Sequence, residues 1–252
     1  MNIVMLVGEG DSSKIVYNSL SSNYNIQMVI EDTAISKKIF LKRRLRKIGY
    51  LKVCGQIFFM IYNKFLFMKS KNRIDLIKYE NGLTSEFYPE KIFRKVASIN
   101  NQETIEILLK NKPNIIIVNG TRIISKKVLN AVDAVFINTH VGITPEYRGV
   151  HGGYWALVNN DHANCGVTVH LVDEGIDTGG VLYQDEIKIN KLDNFNTYPY
   201  LQISKAIPLL KKAIEDVING TVKIKKKNDS LSVLYSHPTL FEYFMNKING
   251  VK

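Results

Sequence analysis

An amide and an imidazole stand two residues apart in the stretch FINTHVGITPEYRGVHGG, as Asn138 and His140. Both groups can donate a hydrogen bond to an oxygen that gains negative charge, and the imidazole can also move a proton. Positions i and i+2 of an extended strand point to the same side. We therefore expect both side chains to face one cleft, unless Asn138 only caps a turn and His140 is merely exposed.

A second polar cluster lies in the stretch GVTVHLVDEGIDTGGVL, which holds Asp173, Glu174 and Asp177 among four glycines. Glycines let a backbone approach a ligand closely, so the loop is a candidate binding wall. The acids could also be ordinary turn residues. They lack the regular ligand spacing of a calcium-binding EF-hand loop, so we expect no metal here.

The elements around these motifs follow an α/β rhythm that predicts a central, mostly parallel sheet. Asn138 then lies at the carboxyl end of a strand, where open α/β sheets bind their ligands. Strands are predicted at 2–7, 26–30, 115–118, 134–138, 166–172 and 181–188, and helices from about 11 to 20 and at 101–112, 125–130, 152–159 and 199–218. A hairpin from TVKIKKK (221–227) and SVLY (232–235) is predicted to close the chain.

The segment 36–70 interrupts this rhythm. It opens with seven Lys or Arg residues between 37 and 47 and continues as an apolar stretch that still contains Lys52, Gln56, Asn63 and Lys64. Those polar residues make it a poor transmembrane helix, so two helices packed on the sheet are expected. A membrane-resting face or an oligomer contact is the alternative.

Composition describes a globular protein with an excess of positive charge. The 252 residues are 45% hydrophobic and 23% charged, with a formal net charge of +11. Such a charge attracts anions without choosing among nucleic acid, lipid and phosphorylated ligands. Cys54 and Cys165 have no metal-ligand spacing, so free thiols are expected, and the short apolar start does not predict a signal peptide. We expect a cytoplasmic protein.

Taken in order, Asn138-Thr139-His140, TPEYRG (144–149) and GVTVHLVDEGIDTGG (166–180) resemble the signature of the folate-dependent formyltransferases. The resemblance covers about 112–190, and the first strand and helix are compatible with it. It implies a Rossmann-like formyltransferase fold, with a catalytic domain over 1–190, a helical insert at 36–100 and a C-terminal helix and hairpin over 191–252. Residues 36–100 and the tail beyond 225 have no assigned counterpart.

The resemblance also implies roles for single residues. Asn138, His140 and Asp177 match the catalytic positions of the family. The stretch Asn119-Gly120-Thr121-Arg122-Ile123 matches the loop that holds the pterin of 10-formyltetrahydrofolate, and Asp173 would close the pocket from the other side. In this arrangement Asn138 and a cationic His140 donate to the oxyanion, while Asp177 raises the pKa of His140.

The acceptor is the open question within the family. Methionyl-tRNA formyltransferase carries a sizeable C-terminal domain, whereas only about 60 residues follow the sheet here. In the purine enzyme the phosphate-binding turn reads Gly-Ser-Asn; here it is Gly10-Asp11-Ser12, and an acid there repels phosphate.

A nucleotide-linked amino-deoxy sugar is therefore the expected acceptor, as in the biosynthesis of surface polysaccharides such as O-antigen. Phosphate contacts are predicted from Arg148 and His151, room for the sugar from Gly152, and stacking from Tyr154 or Trp155, although a helical Trp is more often in the core. We expect a homodimer, no nucleic-acid partner and, as an option, peripheral membrane contact through 37–68. The remaining alternative is a non-catalytic binding module with this fold.

Overall fold

A computed structural model describes residues 1–34, 36–225 and 231–252. Seven strands form one sheet in the order β3-β2-β1-β4-β5-β7-β8. The strands are β1 (Ile3–Gly8), β2 (Ile26–Asp32), β3 (Phe93–Val96), β4 (Ile115–Asn119), β5 (Val135–His140), β6 (Tyr147–Gly149), β7 (Gly166–Leu171), β8 (Val181–Glu186) and β9 (Val233–Tyr235). The helices are α1 (Asp11–Ser21), α2 (Lys37–Ile48), α3 (Tyr50–Glu80), α4 (Gln102–Asn111), α5 (Lys126–Leu129), α6 (Gly152–Val158), α7 (Tyr198–Asn219) and α8 (Leu240–Ile248).

The sheet is buried on both faces, which is why its central strands read as unbroken apolar runs. Every residue of β1 and of β4 is buried. Ile3, Met5 and Val7 belong to one hydrophobic cluster, which also includes residues of α1 and α7, and Val4 and Leu6 belong to a second one with residues of α4. The predicted α/β fold with a mostly parallel sheet is confirmed.

Parallel pairing holds from β3 across to β5, and β7 then runs antiparallel to β5. In this register Asn138 stands opposite His170, and His140 stands opposite Thr168. The carboxyl ends of β4 and β5 therefore meet the polar residues of β7 at one edge of the sheet.

The predicted pair of helices in 36–70 is present, but its place and its extent differ from the expectation. The second helix, α3, runs on to Glu80 and packs against α2, α7 and α8 instead of the sheet. Buried polar contacts hold it there: Gln56 donates to the His237 carbonyl at 2.6 Å, and Arg73 pairs with Asp193 at 2.8 Å. By length and composition α3 is the one helix of the described residues that could cross a membrane, with a mean hydropathy of 1.2 over 18 residues.

The C-terminal part differs from the predicted hairpin. Within the described residues β9 pairs in parallel with β6, and 226–230 of the predicted hairpin lie outside them. Helix α7 packs on β7 and β8, and α8 packs on α3, so both share contacts with the rest of the fold. The division at residue 190 stays a prediction.

Candidate active site

A cavity of about 390 Å³ opens at the carboxyl ends of β4 and β5. This volume is within the range of small-molecule sites. Residues of both sequence motifs line this cavity, so Asn138, His140 and Asp177 lie around one space. Its other lining residues include Val118, Gly120–Ile124, Val141, Gly149, Val150, His170, Val172, Asp173, Gly175 and Ile176.

Asn138 is oriented by a histidine that the motif analysis did not single out. His170 Nδ1 lies 2.7 Å from the Leu171 carbonyl oxygen, so this nitrogen donates, and Nε2 accepts from Asn138 Nδ2 at 3.0 Å. A primary amide carries two N–H bonds. Asn138 can therefore donate to His170 and to a substrate oxygen at the same time.

His140 is buried and lies between two oxygen acceptors. Its Nε2 is 2.7 Å from the Tyr147 carbonyl oxygen, and its Nδ1 is 3.3 Å from Asp177 Oδ2. The carbonyl fixes a hydrogen on Nε2. A neutral ring then turns the Nδ1 lone pair towards a carboxylate, and this contact becomes attractive once Nδ1 takes a proton.

Burial lowers the pKa of His140, and the opposing effect of Asp177 does not outweigh it. Burial works to raise the pKa of Asp177, but the contact with His170, the positive charge that His140 carries when protonated and the Gly149 N–H together outweigh burial and lower that pKa. Desolvation therefore disfavours the charged form of His140, whereas both of its ring nitrogens face oxygen acceptors, an arrangement that a protonated ring satisfies. The cationic His140 stays a prediction.

The loop from 172 to 180 holds Asp177 in place. Asp173 accepts from the Gly175 N–H at 3.0 Å and from the Thr178 hydroxyl at 2.7 Å. Asp177 has a φ of 51°, in the left-handed region, and accepts from the Gly149 N–H at 3.0 Å. Asp173 therefore lines the cavity and also fixes the loop conformation that aims Asp177 at His140.

The opposite wall is the loop that follows β4. Asn119 Nδ2 donates to the Thr139 hydroxyl at 2.8 Å, which ties this loop to β5. Arg122 pairs with the buried Asp32 at 2.7 Å, so its guanidinium is engaged within the protein, and Arg122 lines the cavity together with Gly120 and Ile123. Among the described residues no group of three or more His, Cys, Asp or Glu could hold a metal ion.

The predicted acceptor residues divide into two groups. Arg148 does not line the cavity, but it adjoins the lining residues Gly149 and Ile176; one nitrogen donates to the Ile176 carbonyl at 3.1 Å, and Nε is buried with no hydrogen-bond partner among the described residues. His151, Tyr154 and Trp155 do not line the cavity. Tyr154 is 2% exposed, and Trp155 donates to the Ser236 carbonyl at 2.9 Å.

His151 lies in the same aromatic cluster as Tyr154. Its ring centroid is 4.4 Å from that of Phe195, and its Nε2 is 2.9 Å from His237 Nδ1. Gly152 is buried, and its α carbon abuts Gly142. Of the predicted acceptor residues, only Arg148 offers an unpartnered polar atom beside the cavity.

The two histidines of this cluster predict a stability that depends on pH. Burial lowers the pKa of His151 to about 3 and that of His237 to about 4. Below about pH 6.5 these two histidines are protonated in the unfolded chain but stay neutral in the folded one. Each histidine therefore lowers the free energy of unfolding by up to about 1.4 kcal/mol per pH unit. Urea unfolding at pH 7 and pH 5 is expected to show a marked loss for the native protein and a smaller one for His151→Asn.

The αL backbone of His151, with φ at 59°, accepts Asn readily. His162→Asn makes the same chemical change at an exposed site and is expected to keep the native slope. Equal slopes for both variants would show that His151 is not the group that resists protonation.

A family model described as formyl transferase matches residues 66–200, which is more than half of the chain. The chain belongs to the formyl transferase family. The resemblance of its motifs to folate-dependent formyltransferases is thereby confirmed, and the matched range includes Asn138, His140, His170 and Asp177.

Formyltransferases with different acceptors share this similarity. A methionyl-tRNA formyltransferase of Halothermothrix orenii (strain H 168) is 34% identical over 140 residues, 55% of this chain and 44% of that protein. The chain thus spans about half or less of the length of such curated relatives. An N-formyltransferase of Helicobacter canadensis superposes with a TM-score of 0.56 at 20% identity, covering 93% of this chain and 71% of its own. A phosphoribosylglycinamide formyltransferase of Anaplasma phagocytophilum superposes with a TM-score of 0.57 at 15% sequence identity, covering 93% of this chain and 98% of its own.

Formyltransferases of this family use a formyl-tetrahydrofolate as donor. The cavity fits a flat heterocycle with polar edges. Val118, Val141 and Val172 line it, and so does the irregular loop 120–124, which belongs to neither a helix nor a strand. Such a mostly apolar wall with a few convergent polar groups is typical of small-molecule sites.

Proposed function

We propose that this formyltransferase transfers the formyl group of 10-formyltetrahydrofolate to the amine of a nucleotide-linked amino-deoxy sugar. The observation that supports formyl transfer is the cluster of Asn138, His140 and Asp177 at one cavity, with distances of 2.7–3.7 Å linking its members to His170 and Tyr147. In the proposed site the backbone of 119–123 and the loop at Asp173 hold the pterin. The folate supplies an activated formyl carbonyl when it is bound.

The side chains have complementary tasks in this reaction. Asn138 donates a hydrogen bond where negative charge develops on the carbonyl oxygen, and its partner His170 keeps the amide oriented. His140 would receive the proton of the attacking amine at Nδ1 and return it to the folate nitrogen, whose bond to the formyl carbon breaks as the new bond to the amine forms. Asp177 lies 3.3 Å away and stabilises the imidazolium that forms. The low pKa of His140 keeps the ring neutral and ready to accept that proton.

Arg148 supports an acceptor that carries phosphate. Its buried Nε has no partner among the described residues, and an unpaired buried donor costs free energy until a ligand satisfies it. The planar guanidinium suits a phosphate oxygen. The structure from Helicobacter canadensis, described as a complex with folinic acid and dTDP-3-aminofucose, combines the two ligand classes that we propose here.

The turn after β1 favours a sugar nucleotide over a purine ribonucleotide. Glu9 and Asp11 lie at this turn. Lys95 pairs with both Glu9 and the buried Glu31, so Glu31 lies close to the turn as well. Lys78 Nζ pairs with Asp11 at 2.9 Å, so this lysine is already engaged and is not free to bind a phosphate. The three carboxylates outnumber the two lysines that pair with them, so a phosphoribosyl group would meet a net negative charge at this position.

The decisive experiment incubates the protein with 10-formyltetrahydrofolate and a panel of acceptors, and identifies formylated products by mass. The panel holds dTDP- and UDP-linked 3-amino and 4-amino sugars, phosphoribosylglycinamide and methionyl-tRNA. A nucleotide amino sugar is expected to react, and Arg148→Met is expected to raise its KM by tenfold or more with the folate KM unchanged, since a charge-assisted bond contributes about 1.5–3 kcal/mol. Turnover of phosphoribosylglycinamide alone would contradict the acidic-turn argument.

Methionyl-tRNA is the second candidate acceptor because the curated relatives carry that activity. The 34% identity over 140 residues covers 44% of such a relative. Formylation of methionyl-tRNA by this chain, with every nucleotide sugar inert, would establish this alternative and remove the role proposed for Arg148.

A further inference from the structure

Helix α3 exposes a broad apolar face over its first five turns. Opposite its buried side it carries eight large apolar side chains that are 39–88% exposed. They recur at helical spacing on one face of the helix, and Lys64 is the main polar residue on that face. The set is Leu51, Ile57, Phe58, Met60, Ile61, Phe65, Phe67 and Met68.

Helix α8 extends this face. Phe241 and Ile248 are 73% and 78% exposed, and Met245 lies between them on the same side. The rings of Tyr62 on α3 and Phe244 on α8 are 5.1 Å apart, so the two apolar faces adjoin. An exposed apolar patch of this extent marks an interaction surface.

The charge of the molecule is concentrated in the same segment. Residues 37–71 contain eleven Lys or Arg residues and no Asp or Glu. The rest of the chain has 23 basic and 23 acidic residues, so this segment accounts for the whole net charge of +11. Among the side chains that the structure describes, Lys52 alone of the eleven has a carboxylate within 4 Å, that of Glu242 at 3.9 Å.

We propose that α2, the first half of α3 and α8 form a docking surface for an anionic lipid bilayer, with α3 lying in the plane of the interface. Apolar side chains beside unpaired cations are the composition of interfacial helices. A second copy of the chain would bring two such cationic segments together, and like charges in contact repel. Nucleic acid could bind the cationic residues of this surface, but it provides no apolar environment in which the exposed phenylalanines of α3 and α8 could be buried.

The buried side of α3 argues for a helix on the surface and against one that crosses. Gln56, Ser70 and Arg73 hydrogen-bond to His237, Asn194 and Asp193 of the protein. A crossing helix would have to give up these bonds in hydrocarbon, where unsatisfied polar groups are costly. The surface-lying helix keeps all of them.

Vesicle co-sedimentation of the full chain tests the proposal, with phosphatidylcholine vesicles that either contain or lack phosphatidylglycerol. Binding is expected only with the anionic lipid and is expected to weaken as salt rises. The combined change Lys42→Gln, Arg43→Gln and Arg46→Gln is expected to weaken binding about a hundredfold, from the contribution of each basic residue near an anionic surface. Arg44 is spared because it bonds Gln56 at 2.7 Å.

The apolar part has its own pair of variants. Phe58→Ser with Phe65→Ser, both 59% exposed in the native chain, is expected to lower vesicle affinity about thirtyfold from lost apolar burial. Phe87→Ser removes an 82% exposed phenylalanine outside the surface and is the matched control. The circular dichroism spectrum and the acceptor KM of every variant are expected to match those of the native protein, since the surface excludes the catalytic cavity.

Three outcomes would overturn the proposal. Equal sedimentation with neutral and anionic vesicles would remove the role of charge. Vesicle binding unchanged in both variants would remove the surface. A concentration-dependent dimer in light scattering that Phe58→Ser with Phe65→Ser abolishes, without vesicle binding by the native chain, would assign the face to a second copy.

Discussion

His140→Asn and Asp177→Asn are each expected to lower kcat for formyl transfer by about 10²–10³, the usual loss when one well-placed group is removed from a transition state. Asn at 140 places its amide at the level of Nδ1, so it can still face Asp177, but it cannot take up a proton. Asn at 177 keeps the contact with the Gly149 N–H but no longer stabilises an imidazolium. The measurement is kcat with saturating folate and amino sugar, together with circular dichroism to confirm the fold.

Two exposed residues give matched controls for these changes. His162→Asn and Asp133→Asn make the same substitutions outside the cavity and are expected to keep native kcat. If His140→Asn or Asp177→Asn retains more than about a tenth of native activity, the role given to that residue is wrong.

The pH profile separates the two variants further. Burial holds the pKa of His140 below its usual value, so the reaction is expected to lose rate only as pH falls below about 6.5. Asp177 raises that pKa, so its replacement is expected to move the acid limb of the residual activity to lower pH. An acid limb that stays in place in Asp177→Asn would show that another group is titrating.

Sequence patterns predicted most of the sheet because its strands are buried on both faces. Their apolar runs end at polar residues, and the observed strand ends lie within two residues of the predicted ones. The short edge strand β3 escaped detection because only Val96 of its four residues is buried, so no run or alternation marks it. Helix α8 carried a usable signal, since Thr239 and Glu242 form a capping box of the T-x-x-E kind.

The site was predictable where it is local in sequence, and less so where it depends on pairing. Asn138 and His140 share a strand, so their spacing alone places them together. His170 joins them only through the antiparallel register of β5 and β7, which no spacing in the chain specifies. The aromatic tract at 151–155 misled for the same reason, because its burial depends on Phe195, His237 and Tyr243 far along the chain.

Gly8→Ala is expected to raise the KM for folate by tenfold or more. Gly8 ends β1 beside the loop that follows β4, and a Cβ there would overlap the Gly120 carbonyl oxygen and lie 2.8 Å from the Gly120 carbonyl carbon. Both are backbone atoms, so the loop at 120–123 must shift. Overpacking of this kind costs about 1–3 kcal/mol, and the displaced backbone can no longer meet the pterin edge.

A second glycine separates this local effect from a general loss of stability. Gly82 has a φ of 60° and no atom within 4 Å of an added Cβ, so Gly82→Ala costs only the left-handed backbone strain of about 1–2 kcal/mol. Urea unfolding is expected to show both variants destabilised, whereas steady-state kinetics is expected to show a raised folate KM in Gly8→Ala alone. Crystals soaked with a reduced folate should then place the pterin between 119–123 and 173–179 in the native protein. A native folate KM in Gly8→Ala, or pterin density elsewhere, would mean that the loop after β4 serves the fold and not the donor.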